Sequence, residues 1–471
     1  MKKNHQGVLV SVGLVSLVIS ISMLLGTSAA WAIVVTNTND SGPGSLRHAI
    51  GVANGDLVPT SITFDATVFP GTITLQSPLQ NLIDPGDTID GGGIGVVLDG
   101  SLLLSNDYHG LRVRASNITI SGLTIQNFGG DGIRVQPLES SDALVTGVVI
   151  SNNLITSNGF DGVRVEGGFG PDNMVGVTIA NNTLSDNGDD GIQVRGSFGD
   201  PGNGGNTVDV VITNNLIQGS KGKQTGGLRT GDGIRVMGAG DGDGSNNTVT
   251  AIISENIVKN NADDGIIVPG AGLGGSASNN TVYTEIIGNH VTKSGGPTSL
   301  RGIGIVVRGG HTDIGTGSGN IVTFIVENNT VGTSKMEGIR VTGGVGSSQT
   351  VSGSVINNNV SQNGADGIQV VLGPGGGNVV SVASITDNNS DSNVLDGIRI
   401  GPGVPGDSST VSGNRTNKNG EDGIHLYSTG YYLEDNSANK NVGAGIKAPG
   451  NVNGGGNTAK GNGSCNTPGC F

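Results

Sequence analysis

Apolar residues in this chain alternate with polar ones over short runs instead of recurring at helical spacing. Val148-Val149-Ile150-Ser151-Asn152-Asn153 and Val210-Val211-Ile212-Thr213-Asn214-Asn215 are typical, each run ending on asparagine. A second kind of run follows Asp-Gly, as in Asp131-Gly132-Ile133-Arg134-Val135, Asp161-Gly162-Val163-Arg164-Val165 and Asp190-Gly191-Ile192-Gln193-Val194. Period-two alternation of this length specifies strands, and no helical pattern separates the runs.

The Asp-Gly phrase returns from Asp232, Asp264, Glu337, Asp366, Asp396 and Asp422, with looser copies from Arg301 and Ala444 and a prelude at His109. Successive anchors are 22 to 42 residues apart. Asn153, Asn182, Asn256, Asn329, Asn358, Asn414 and Asn436 each stand 8 residues before an anchor, so that half of the repeat is rigid. From anchor to next asparagine the distance runs from 14 to 28 residues. This variable half is Gly-rich, at residues 167–172, 199–204, 238–244, 270–275 and 373–377. Its constant phase places these loops on one side of a solenoid.

A period in this range with only short strands specifies an all-β chain: a single-stranded right-handed parallel β-helix of about twelve rungs with an N-terminal cap. Rungs stack roughly 4.8 Å apart, giving a rod on the order of 55–60 Å. Asparagines at one phase are expected to bond to each other through their side-chain amides. Asp-Gly is expected to be a turn, with glycine at positive φ.

Composition narrows the picture. Glycine makes up 87 of 471 residues and aromatics 3%, which suits a thin rod filled by stacked Ile, Val and Leu. The formal charge of −14 argues against nucleic acid as a partner. Residues 1–32 read as a secretory leader: Lys2-Lys3, an apolar run from Val8 to Leu25, and the small-residue exit Ala30-Trp31-Ala32. The run is also long enough to stay as an N-terminal anchor, and no second apolar span follows. The remaining divisions are 33–107, cap and first rungs; 108–450, β-helix repeats; and 451–471, a tail with a cysteine pair. Cys465 and Cys470 are placed to close a small disulfide loop in an oxidising compartment.

The segment Val35 to Ile50 resembles the opening of large bacterial secreted proteins of the right-handed parallel β-helix class. So do Ile62-Thr63-Phe64-Asp65, Gly71-Thr72-Ile73-Thr74-Leu75, Ile89-Asp90-Gly91-Gly92-Gly93 and Val97-Leu98-Asp99-Gly100. With the Asp-Gly repeats, the resemblance is to the pectate-lyase-like superfamily in the broad sense. It implies secretion or a cell-surface location, a polysaccharide partner, and a cap whose short helix spans 44–55. It does not select among the superfamily's lyases, hydrolases, epimerases, tailspikes and adhesins.

Candidate chemistry lies in four places. Asp189-Asp190 and Asp263-Asp264 look like the paired aspartates of polygalacturonases, though that family's Gly-His-Gly and Arg-Ile-Lys are absent. The residue between the two apolar positions of Asp-Gly-Ile-Arg-Val points outward, and that row reads Arg112, Arg134, Arg164, Gln193, Arg235, Ile267, Gly304, Arg340, Gln369, Arg399, His425, Lys447. Such a row pairs with the aspartates beside it, or else Arg134, Arg164, Arg235, Arg340 and Arg399 form a track for an acidic glycan. Phe169 and Phe198 pack on each other or offer a sugar platform. Asp241 and Asp243 give a partial oxygen shell for calcium, the one cofactor the sequence suggests. Three readings stay open: a polysaccharide-binding rod, a polysaccharide lyase or glycoside hydrolase, and a purely structural surface protein.

Overall fold

The computed structural model describes residues 31–138, 142–197, 204–222, 224–225, 228–229, 231–240, 244–272, 276–296, 299, 301–310, 317–407, 409–463 and 470. Most of the leader, Phe198, Asp241, Asp243 and Cys465 therefore lie outside the described residues. Cys470 is disulfide-bonded. No helix among the described residues is long and apolar enough to cross a membrane.

One circuit shows how the repeat folds. Met174–Ala180 runs along a first sheet, Thr183–Ser185 along a second and Ile192–Arg195 along a third. The chain then returns to the first sheet at Thr207–Thr213, parallel to Met174–Ala180 and residue for residue in register. Among the described residues the three sheets hold 15, 14 and 12 strands, which stack into a parallel β-helix. The interior is made of apolar columns such as Ile150, Ile179, Ile212, Ile253 and Ile286, all fully buried. β-Branched side chains suit this stacking because their stiff χ1 fits a pleated surface.

At the N-terminal end, Leu46–Asp56 forms the expected cap helix. Ser45 accepts the backbone N–H of His48 at its start, and Leu46, Ala49, Ile50 and Ala53 are buried. The helix packs on Trp31–Val35 and Thr60–Phe64.

The corner between the first and second sheets is where asparagine acts twice. Asn152, Asn181 and Asn214 take left-handed backbone conformations, with φ of 57°, 58° and 56°. The next residue points inward and forms the predicted column: Nδ2 of Asn153 donates to Oδ1 of Asn182 (3.1 Å), Asn182 to Asn215 (3.0 Å) and Asn215 to Asn256 (3.0 Å). The column continues to Asn457. Two further columns stand at the other corners. One links Asn158 to Asn187 and later Asn363 to Asn393, Asn419, Asn441 and Asn462. The other joins Asn247, Asn280 and Asn320, with Gln349 continuing it by accepting the Asn320 backbone N–H.

Three expectations need correction. The glycines of Asp-Gly are not at positive φ. They are required by space: a Cβ on Gly162 would sit 2.7 Å from the Gly191 carbonyl oxygen and 2.7 Å from a Leu184 methyl. The loose copy at Arg301 is out of phase by two residues, because Gly304 follows Gly265 and Val306 pairs with Ile267 and Arg340. Val306, not Gly304, therefore occupies the outward row. Finally, insertions occur at two corners. Besides the loops returning to the first sheet, residues 219–231 and 294–303 lengthen the passage from the second sheet to the third.

Candidate functional site

The third sheet carries the chemistry on its outer face. Each anchor aspartate turns a carboxylate along the rod, where its Oδ1 accepts the backbone N–H of the next anchor. Asp131 accepts from Asp161 (3.1 Å), Asp161 from Asp190 (2.9 Å), Asp190 from Asp232 (2.8 Å) and Asp232 from Asp264 (2.8 Å). His109 heads this column, its Nδ1 2.9 Å from the Asp131 backbone nitrogen. The second carboxylate oxygen stays available for the outward row.

From Arg134 to Arg235 that row is taken up by the acids. Arg164 Nε lies 2.6 Å from Asp161 and 3.5 Å from Asp131, so one guanidinium bridges two rungs. Arg235 repeats the arrangement with Asp190 (3.0 Å) and Asp232 (2.6 Å). Gln193 occupies the same place between them and donates to Asp190 (3.0 Å). Arg134 turns the other way, to Glu166 at 2.6 Å, and Arg195 pairs with the same glutamate. The Arg235 side chain is only 5% exposed.

Electrostatics follow from the ratio of acids to cations. Burial works against Glu166, but Arg195, Arg134 and Arg164 around it hold its pKa down at about 2. The paired aspartates go the opposite way. Asp161, Asp189 and Asp190 converge, as do Asp232, Asp263 and Asp264, with ligand oxygens in each group within 4.8 Å of one another. Burial and the neighbouring carboxylates push Asp161 and Asp232 well above the usual range despite their arginines. Asp263 is raised to about 7 by burial and by Asp264. Arg308, fully buried, is lowered to about 10 by that burial. Close carboxylates raise one another's proton affinity.

The row opens toward the C-terminal half. Arg340 lies 3.8 Å from Glu337 and Arg399 3.7 Å from Asp366, with side chains 27% and 35% exposed. His425 then takes the bridging place, Nδ1 being 3.1 Å from Asp422 and 3.6 Å from Asp396. Burial opposes its charge, but the two carboxylates prevail and its pKa is raised. Tyr427 stacks on the imidazole at 3.9 Å between ring centres, and the Arg399 guanidinium lies 5.3 Å from the tyrosine ring. Tyr427 is 48% exposed, whereas Tyr431 is buried and donates to the carbonyls of Val404 and Pro405.

The structure thus brings Asp189 and Asp190 to Asp161, and Asp263 and Asp264 to Asp232. It places Arg134, Arg164 and Arg235 in buried ion pairs and leaves Arg340 and Arg399 partly open. Phe169 is half-buried at a loop edge. Sequence reasoning missed Glu166 and Arg308, and it set Arg195 beside the aspartates without seeing its pairing with Glu166. These three form a second outward row two residues beyond the first, and that spacing was the available signal. It also passed over the His425–Tyr427 pair.

No curated protein sequence matches the chain. Among solved structures it is similar to the Dettilon tailspike protein, with 15% identity over 91% of this chain and 68% of that one, TM-score 0.42. It is also similar to the A-module of the mannuronan C-5 epimerase of Azotobacter vinelandii (15% identity, 90% and 99%, TM-score 0.39) and to the pectate lyase Pel9A (13%, 76% and 80%, TM-score 0.41). The family model "Right handed beta helix region" matches residues 109–283 and 271–463, and the chain belongs to that family.

Proposed function

We propose that this protein is a secreted or cell-surface rod that binds polysaccharide along the open, C-terminal part of the third sheet. The observation that carries the reading is the half-exposed Tyr427, stacked on His425 beneath Arg399 and continuous with Arg340 along one outward row. An aromatic face packs against a sugar ring, and guanidinium groups hold its hydroxyls or carboxylates by paired hydrogen bonds. Arg134, Arg164 and Arg235 belong to the support of this surface, since their charges are already spent on buried acids. Retention of the purified chain on acidic and neutral polysaccharides tests the proposal. Arg340→Ala, Arg399→Ala and Tyr427→Ala combined should weaken retention at least about tenfold, each lost hydrogen-bonding or stacking group being worth roughly 1 kcal/mol. Unchanged retention would overturn it.

A second reading, polysaccharide lyase or hydrolase, is favoured by one observation: Asp263, raised to about 7 beside Asp264 and Asp232, has the proton affinity of a general acid. Its test is release of reducing or unsaturated ends, with and without calcium, and loss of that release in Asp263→Asn. Neither retention nor release would leave the structural rod.

A further inference from the structure

In most rungs the space between two successive anchor carboxylates is filled by a side chain that brings its own hydrogens. Arg164 and Arg235 do so with a guanidinium; Gln193 and Gln369 do so with an amide, donating to Asp190 (3.0 Å) and Asp366 (2.7 Å). His425 breaks the rule. Its Nδ1 faces two carboxylate oxygens, and one ring nitrogen can offer at most one hydrogen. At 3.6 Å the Asp396 Oδ2 is beyond hydrogen-bond range of it. That oxygen belongs to a side chain only 2% exposed and is directed into the group, while Oδ1 is taken by the Asp422 backbone N–H. Arg399, the preceding row residue, is turned to Asp366 and to the Tyr427 ring.

The two separations from Nδ1 have a chemical meaning, and the three atoms lie within 4.8 Å of one another. Two ligands bound about 2.0–2.2 Å from a tetrahedral ion stand roughly 3.3–3.6 Å apart. The observed separations of 3.1 and 3.6 Å bracket that range. We propose that His425 Nδ1, Asp396 Oδ2 and Asp422 Oδ2 bind one zinc-class divalent cation, with remaining positions open to water on the side of the more exposed Asp422. One imidazole and two carboxylates suit zinc, whereas calcium takes oxygen ligands alone. The two aspartate trios farther up the rod do not qualify, because they lack nitrogen and Arg164 and Arg235 already face them.

The repeat itself supplies the test variant. His425→Gln installs the residue found in this row at Gln193 and Gln369, so it keeps the fold and a hydrogen bond to the anchor acid while removing the imidazole. Calorimetric titration of the purified chain with zinc chloride should show one equivalent bound. His425→Gln should lower the affinity at least about 100-fold with an unchanged circular dichroism spectrum. X-ray absorption of the loaded chain should show one imidazole nitrogen and carboxylate oxygens around zinc. Absence of stoichiometric uptake, or a His425→Gln titration matching that of the unsubstituted chain, would overturn the assignment. So would a wild-type preference for calcium over zinc.

Discussion

A single glycine shows how tightly the rungs are spaced. Gly162 has ordinary backbone angles, yet a methyl group there would press on the carbonyl of the next rung at 2.7 Å. Gly162→Ala should cost about 1–3 kcal/mol in a denaturant titration, the range for overpacking. Gly55, in the cap helix with open space around it, gives the contrast: Gly55→Ala should be neutral or stabilising by up to about 1 kcal/mol. Asn256→Ala should cost about 1–3 kcal/mol, because it strips the Asn215 backbone N–H and amide of their buried acceptor. Titration makes a sharper prediction. Asp263 has a folded-state pKa of about 7 against an ordinary 3.8, so the folded chain holds that proton more tightly than the unfolded chain does. The resulting stabilisation is complete below the ordinary value and disappears as pH rises through about 7. Melting temperature should therefore fall between about pH 4 and about pH 7, and Asp263→Asn should reduce that fall. Glu166 has the opposite sign: held down at about 2, it contributes above its ordinary 4.5 and the contribution is lost as pH drops toward 2.

At the scale of the strand and its corners, the same row of the third sheet serves two ends. Arg164→Ala would leave buried Asp161 and Asp131 without their shared cation and should destabilise the fold by about 3–5 kcal/mol, read by thermal or urea melts. Arg399→Ala, at a long and partly exposed pair, should change stability by less than about 1 kcal/mol in the same melts. The row was legible in the sequence because Asp-Gly-Ile-Arg-Val is regular; its division into a covered and an open half was not. The insertions between Gln218 and Ile234 and between Thr292 and Ile305 break the eight-residue spacing that otherwise ties asparagine to anchor. The same insertion hid the phase of Ile303-Gly304-Ile305-Val306. The first asparagine column was visible because it is unbroken from Asn153 to Asn457. The second was obscured where Ser220 and Ser334 replace asparagine at its corner. Glu166 escaped notice because neither Arg195 nor Met237, its successors in register, repeats its chemistry.

Over the whole rod, order is carried by nearest neighbours. Each rung pairs only with the one before and the one after, so unfolding should depart from a single cooperative step when denaturation is followed by probes at the two ends. The hydrogen-bonded columns add a sense of direction. In the first asparagine column each backbone N–H donates to the side chain of the following rung, as Asn153 does to Asn182; in the aspartate column it donates to the preceding one, as Asp161 does to Asp131. Every rung therefore offers the same pair of couplings to whatever rung lies on either side. Asn358 and Asn388 hold equivalent places, and the residues before them, Asn357 and Asp387, share the left-handed corner. Excising residues 358–387 would bring Asn388 to Asn329 with both couplings intact, giving a folded chain one rung, or about 4.8 Å, shorter. Length is then a quantity the gene can adjust by whole repeats, lengthening or trimming the reach of the protein without redesigning its interior.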